Sequence, residues 1–90
     1  MDLDSHSANH ISPSERIDQL CDDFEVSWLQ GERPQIANFI DRIPAEDQPA
    51  LFYELMLVEL EYRLKAGEQP SREEYLRDFP QFSDQVSAVY

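Results

Sequence analysis

Apolar positions recur at intervals of three and four along most of the chain, the spacing of helices that bury one face. Ile17, Leu20, Cys21, Phe24 and Trp28 make the first such face. Ahead of them, Ser12-Pro13-Ser14-Glu15 predicts a helix start. Ser12 accepts from the N–H of position 15, Glu15 reaches back to the Ser12 N–H, and Pro13 takes the first helical position, where a missing donor costs nothing. Gly31 supplies the left-handed residue that closes the helix. Pro34 restarts the chain, and Ile36, Phe39, Ile40 and Ile43 form a second, shorter face that ends at Pro44. Asp47-Gln48-Pro49 predicts the next start, with Asp47 as cap and Pro49 in the first turn. The helix behind it is apolar nearly all round, at Leu51, Phe52, Leu55, Met56, Leu57, Val58, Leu60 and Tyr62, and ends near Gly67. A helix without a wide polar face is central in its domain. Ser71-Arg72-Glu73-Glu74 is a second capping-box pattern, opening a short helix with Tyr75, Leu76 and Phe79 that Pro80 stops. Phe82, Val86 and Val89 predict one more helix, which makes five and no strand.

The punctuation repeats. Gly31-Glu32-Arg33-Pro34 and Gly67-Glu68-Gln69-Pro70 lie 36 residues apart, and both lead at the same offsets into Phe39-Ile40 or Tyr75-Leu76 and then Pro44 or Pro80. Glu25 and Glu61 match upstream. The unit is a helix, a glycine stop, a Gly-Glu-x-Pro turn, a short helix and a proline, used twice. Two units are too few for an open solenoid, so the expected fold is all-α, a compact bundle of about five helices built from two helix–turn–helix repeats. Residues 1–11 are polar and without periodicity, a disordered leader to a helical domain spanning 12–90.

Composition sharpens this outline mainly by exclusion. The 90 residues carry 7 Lys+Arg against 19 Asp+Glu, a formal net charge of -12. Clustered cations are needed to hold phosphates, so the balance weighs against nucleic acid and anionic lipid as partners. Nine acids and three bases fall in residues 1–45, and ten acids and four bases in 46–90. Charge spread so evenly belongs to the solvated faces of a folded unit, and 41% hydrophobic residues support a core. A domain this small buries only about 60% of its unfolded surface, so its stability margin is modest. No stretch approaches the ~20 apolar residues of a membrane span, and the N-terminus has no secretion signal. A single cysteine, Cys21, fits a reducing compartment, and the expected location is cytoplasmic.

Candidate chemistry is sparse. His6 and His10, with Asp2 and Asp4, have metal-ligand types but lie in the leader, and are read as a solvated tail. Cys21 lies on the first apolar face with no nearby base, and is read as core. Asp22-Asp23, Glu59-x-Glu61 and Glu73-Glu74 lack EF-hand spacing and a catalytic neighbour, and are read as solvated helix faces, with Glu61 and Lys65 paired at i, i+4. No catalytic, cofactor-binding or metal-binding residue is assigned, and no cofactor. Trp28 with Leu29, and Tyr62 with Tyr53, are read as core first and as a partner-binding patch second. Arg33 and Arg42 are read as surface or interdomain contacts. The candidate interaction surface is therefore Trp28, Leu29, Arg33 and Arg42.

Five phrases stand out in order. They are Ile17-Asp18-Gln19-Leu20-Cys21-Asp22-Asp23-Phe24-Glu25-x-x-Trp28, Gly31-Glu32-Arg33-Pro34-x-Ile36, Leu55-x-x-x-Glu59-Leu60-Glu61-Tyr62-Arg63, Gly67-Glu68-x-Pro70-x-x-Glu73-Glu74-Tyr75 and Arg77-Asp78-Phe79-Pro80. Together they resemble the helical segment that precedes the catalytic domain in a large bacterial family of multidomain serine/threonine protein kinases. The resemblance spans roughly residues 15–90. The chain has none of the kinase machinery itself: no glycine-rich loop, no Val-Ala-Ile-Lys, no His-Arg-Asp and no Asp-Phe-Gly. It therefore implies a non-catalytic N-terminal protein-interaction or regulatory module, cut from or preceding a kinase. The implied partners are proteins: the adjoining kinase domain, a substrate or a second copy. The alternative is a free-standing acidic helical regulator or adaptor that binds a basic protein.

Overall fold

A computed structural model describes residues 12–90; the leader, with its two histidines, lies outside the described residues. Five α-helices follow one another: α1 (Pro13–Leu29), α2 (Ile36–Ile40), α3 (Gln48–Lys65), α4 (Arg72–Asp78) and α5 (Ser83–Val89). Short 3₁₀ turns at Ala45–Asp47 and Pro80–Phe82 precede α3 and α5. No strand occurs among the described residues, and no helix there is long and apolar enough to cross a membrane.

Helix α1 starts as its sequence dictates. The Glu15 N–H donates to Ser12 Oγ at 3.2 Å, and the Ser12 N–H donates to Glu15 Oε1 at 3.1 Å. The start of α3 departs from expectation. Asp47 makes no side-chain cap. Instead Gln48 Nε2 donates to the carbonyls of Ile40 and Ile43, at 3.1 and 3.3 Å, tying the start of α3 to the end of α2. The capping box at α4 is only half formed. Ser71 Oγ accepts from the Glu74 N–H at 3.1 Å, but the Glu74 carboxylate turns away to Arg63.

The two glycine turns are copies of one another. Gly31 and Gly67 have φ of 85° and 87°, the left-handed region that a side chain disfavours. The Gly31 N–H donates to Trp28 O and the Gly67 N–H to Leu64 O, both at 3.0 Å. One residue on, the Glu32 N–H donates to Ser27 O and the Glu68 N–H to Arg63 O, again both at 3.0 Å. This is the paired closure of a Schellman turn, made twice at the same offset.

Helix α3 is central, as its nearly continuous apolar surface requires. Leu51, Phe52, Leu55 and Met56 have no exposure at all. Leu20 and Phe24 of α1, Ile36, Phe39 and Ile40 of α2, and Ile43 close one side of that core; Tyr75, Phe82 and Val86 close the other. Aromatic contacts pin both sides: Phe24 meets Phe39 edge-on at 5.1 Å, and Phe52 stacks on Phe82 at 4.7 Å.

The repeats lie side by side in the same direction. At one end Ser14, Ile17 and Asp18 of α1 share a groove with Ala50 and Glu54 of α3. At the other, Trp28 stacks on Tyr62 with 5.8 Å between ring centroids. Helices α1 and α3 are thus parallel neighbours in the register of the sequence repeat. Helix α5 stands to α3 as α3 stands to α1: Pro13, Arg16, Ile43, Pro44 and Glu46 surround one groove, and Pro49, Phe52, Phe79, Pro80 and Phe82 occupy the equivalent positions one unit on.

Candidate functional site

The parallel arrangement places both Gly-Glu-x-Pro turns at one end and opens a cleft of about 390 Å³ between the units. Trp28, Arg33 and Ile36 line it from the first unit; Glu59, Arg63, Glu74, Tyr75 and Asp78 line it from the second. Arg63 is the hub. Its side chain is only 13% exposed, and it meets three carboxylates. Nε donates to Glu68 Oε1 at 2.8 Å, while Nη1 and Nη2 donate to the two oxygens of Glu74 at 2.8 and 3.2 Å. Glu59 lies one helical turn before it, 4.0 Å away. Nη1 also donates to Tyr75 Oη at 3.1 Å, and Tyr75 passes its own proton donor to Glu59.

Arg33 joins the network from the first unit. It forks onto Glu68, with Nη1 to Oε2 at 2.7 Å and Nη2 to Oε1 at 3.3 Å, and its guanidinium lies 5.1 Å from the Trp28 ring centre. On the other side of the Trp28–Tyr62 stack, Tyr62 Oη donates to Glu25 at 2.9 Å, and Lys65 lies over the Tyr62 ring at 5.2 Å.

Protonation follows from these contacts. Hydrogen bonds from Arg33 and Arg63 hold the Glu68 carboxyl below its ordinary range, and Arg63 does the same for Glu74. Burial moves Glu59 the other way, more than Tyr75 and Arg63 offset. Burial and the neighbouring Glu59 carboxylate push the Tyr75 hydroxyl up. The Cys21 thiol, away from the cleft, is pushed up to about 12 by burial and by Glu54. Neither hydroxyl nor thiol is activated as a nucleophile.

Trp28 and Arg33 are brought together at the cleft, where Trp28 is half-buried and its Nε1 is a buried donor without a partner. Leu29 projects from the end of α1 and is 69% exposed. Arg42 is separate, its guanidinium 4.4 Å above the Phe39 ring. The four residues therefore do not form one patch. The reading of the acids as solvated faces is corrected for Glu59 and Glu74, which are drawn into the Arg63 network, whereas Glu61 pairs with Lys65 at 3.0 Å in the open. Cys21 is half-buried against the core. Sequence reasoning missed Arg63. The available signal was the i, i+4 pair Glu59–Arg63 one turn before a glycine stop whose next residue is Glu68.

Among the described residues, no group of three or more His, Cys, Asp or Glu side chains is arranged to hold a metal ion. Comparison with protein-family models, with curated proteins and with solved structures found no match for this chain.

Proposed function

We propose that the chain is a non-catalytic, cytoplasmic interaction module of the kind that precedes a bacterial serine/threonine kinase domain, and that it acts by binding protein. The observation that carries this reading is the contrast between the cleft and the outer helix faces. Inside the cleft, cations and carboxylates are matched to one another as structural cross-links. Outside, Val26, Leu29, Leu57 and Leu64 stand exposed on the two long helices. Apolar side chains left exposed on these helices are where a protein partner would make contact.

The phrases that carry the kinase resemblance also supply the polar contacts around the cleft. Glu25, Trp28, Arg33, Glu59, Tyr62, Arg63, Glu68, Glu74 and Tyr75 all belong to the phrases that carry it, and all belong to one network. Of these contacts, Arg33 on Glu68, Tyr62 on Glu25 and the Trp28–Tyr62 stack join the two units, and the rest brace α3 to α4.

The test is to place the chain ahead of, or add it in trans to, the kinase domain encoded downstream in the same reading frame. The expected result is retention of the kinase domain or its substrate by the chain, and a changed phosphorylation rate. Absence of a downstream kinase domain, or binding and rates that ignore the chain, overturns the proposal.

A further inference from the structure

The matching of charge in the cleft is incomplete at one carboxylate. Two guanidiniums, Arg33 and Arg63, stand among four acids, Glu59, Glu68, Glu74 and Asp78. Arg63 commits its fork to Glu74 and its Nε to Glu68, and Arg33 is also taken by Glu68. Glu59 is left with Tyr75, which donates to its Oε2, and with Arg63 Nη1 at 4.0 Å, beyond hydrogen-bond reach. No described residue donates to Glu59 Oε1. The Glu59 side chain lines the cleft and is only 15% exposed. Burial raises its carboxyl more than Tyr75 and Arg63 lower it, so its negative charge is under-compensated. Asp78 lines the same cleft, is exposed, and meets only its neighbour Arg77, at 3.4 Å.

The cleft is a joint between the two units, with Trp28, Arg33 and Ile36 on one wall and residues of α3 and α4 on the other. A unit continuing the repeat would meet Leu64 and Gln69, the counterparts of Trp28 and Arg33, and not this joint. Charge and shape decide the occupant. An anion would have to take Arg33 from the fork it makes with Glu68. A cation finds the free oxygen of Glu59 and the exposed carboxylate of Asp78. Ile36 and Phe79 line the cleft with them and suit the methylene stem of a long basic side chain. The volume of about 390 Å³ is within the range of ligand sites. We infer that this cleft receives an arginine or lysine side chain of a protein partner, its charged head at Glu59 and Asp78 and its stem along Ile36 and Phe79. This rests on the interaction reading above and adds a seat and the partner's chemistry. The net charge of -12 draws a basic partner in from a distance, and the seat selects the residue that docks.

The probes are N-acetyl-arginine methylamide and N-acetyl-lysine methylamide, with N-acetyl-norleucine methylamide as the uncharged stem. Each is titrated into the full chain labelled with nitrogen-15. Trp28 is the only tryptophan and lines the cleft, so its indole N–H signal reports the site alone. The expected result is a saturable shift of that signal by both basic probes, with Kd of about 1–10 mM. The norleucine probe should bind about tenfold or more weakly, and Glu59→Gln with Asp78→Asn should weaken the basic probes to the same degree. Glu46→Gln with Asp84→Asn removes as much charge from exposed positions outside the cleft and should change nothing. Asp78→Asn alone, at an exposed position that keeps the fold, should weaken binding about twofold. No saturable shift up to about 20 mM probe, equal binding of norleucine, or equal loss in the outer pair of variants would each overturn the proposal. A kinase domain that binds the chain and ignores Glu59→Gln with Asp78→Asn would remove only this seat and leave the interaction reading standing.

Discussion

The Arg63 guanidinium grips the Glu74 carboxylate through both terminal nitrogens, at 2.8 and 3.2 Å, and so fastens the end of α3 to the start of α4. The Glu74 N–H also donates to the capping Ser71 Oγ, so one residue serves both the local turn and the tertiary clamp. Replacing Arg63 by alanine strands Glu59 in a half-buried place with no cation. The expected loss of stability is about 3 kcal/mol, typical of removing one partner from a buried ion pair. Arg63→Lys should lose less but not recover the whole, since an ammonium cannot hold Glu68 and Glu74 in a planar fork. Urea denaturation of both variants, beside Lys65→Ala with its exposed pair, checks the ranking.

The carboxylates of the network should give opposed pH responses. Glu68 and Glu74 are held low by arginine hydrogen bonds, so their contribution is present above about pH 4.3 and is lost as pH falls through their folded values. Glu59 is raised by burial, so its contribution is present below about pH 4.3 and is lost as pH rises through its folded value. Glu59→Gln keeps an acceptor for Tyr75 and removes the titration. Stability measured from pH 3 to 7 should then lose its decline above about 4.3 while keeping the rise below it. An unchanged profile would show that Glu59 does not titrate against folding.

Gly31 and Gly67 should respond alike to substitution. A Cβ added at either meets nothing within 4 Å, so only the left-handed backbone resists. Gly31→Ala and Gly67→Ala are each expected to cost about 1–2 kcal/mol, and Gly67→Asn less, since asparagine tolerates this region better than alanine. Thermal or chemical denaturation checks the near-equality of the two alanine variants.

Leu55 lies at the centre of α3 with no exposure. Leu55→Ala is expected to cost about 2–5 kcal/mol, the range for emptying a leucine-sized site in a core. In a chain this small that loss takes a large share of the total, and a fall in urea midpoint measures it. A cost under about half a kcal/mol would match a surface site instead.

Much of the fold was legible because its signals are local. The Ser12 box needs only residues three apart, a glycine stop needs only its own φ, and the centrality of α3 is written in its run from Leu51 to Tyr62. The failures occur where a side chain with a local role has a better distant one. Glu74 abandons its box for Arg63, eleven residues back, and Asp47 leaves α3 without a side-chain cap while Gln48 beside it reaches the Ile40 and Ile43 carbonyls. The cleft was half legible. Trp28 and Arg33 stood out by type and place, but Glu59 and Arg63 look like any exposed helix pair until α4 folds back over them.

Helices laid side by side in one direction add their peptide dipoles, where antiparallel neighbours would cancel them. The carbonyl ends of α1 and α3 therefore gather at one edge and build a negative pole in a protein already at -12. Arg33, Arg63 and Lys65, three of seven cations, stand at that edge. Building by translation has fixed where much of the scarce positive charge must reside.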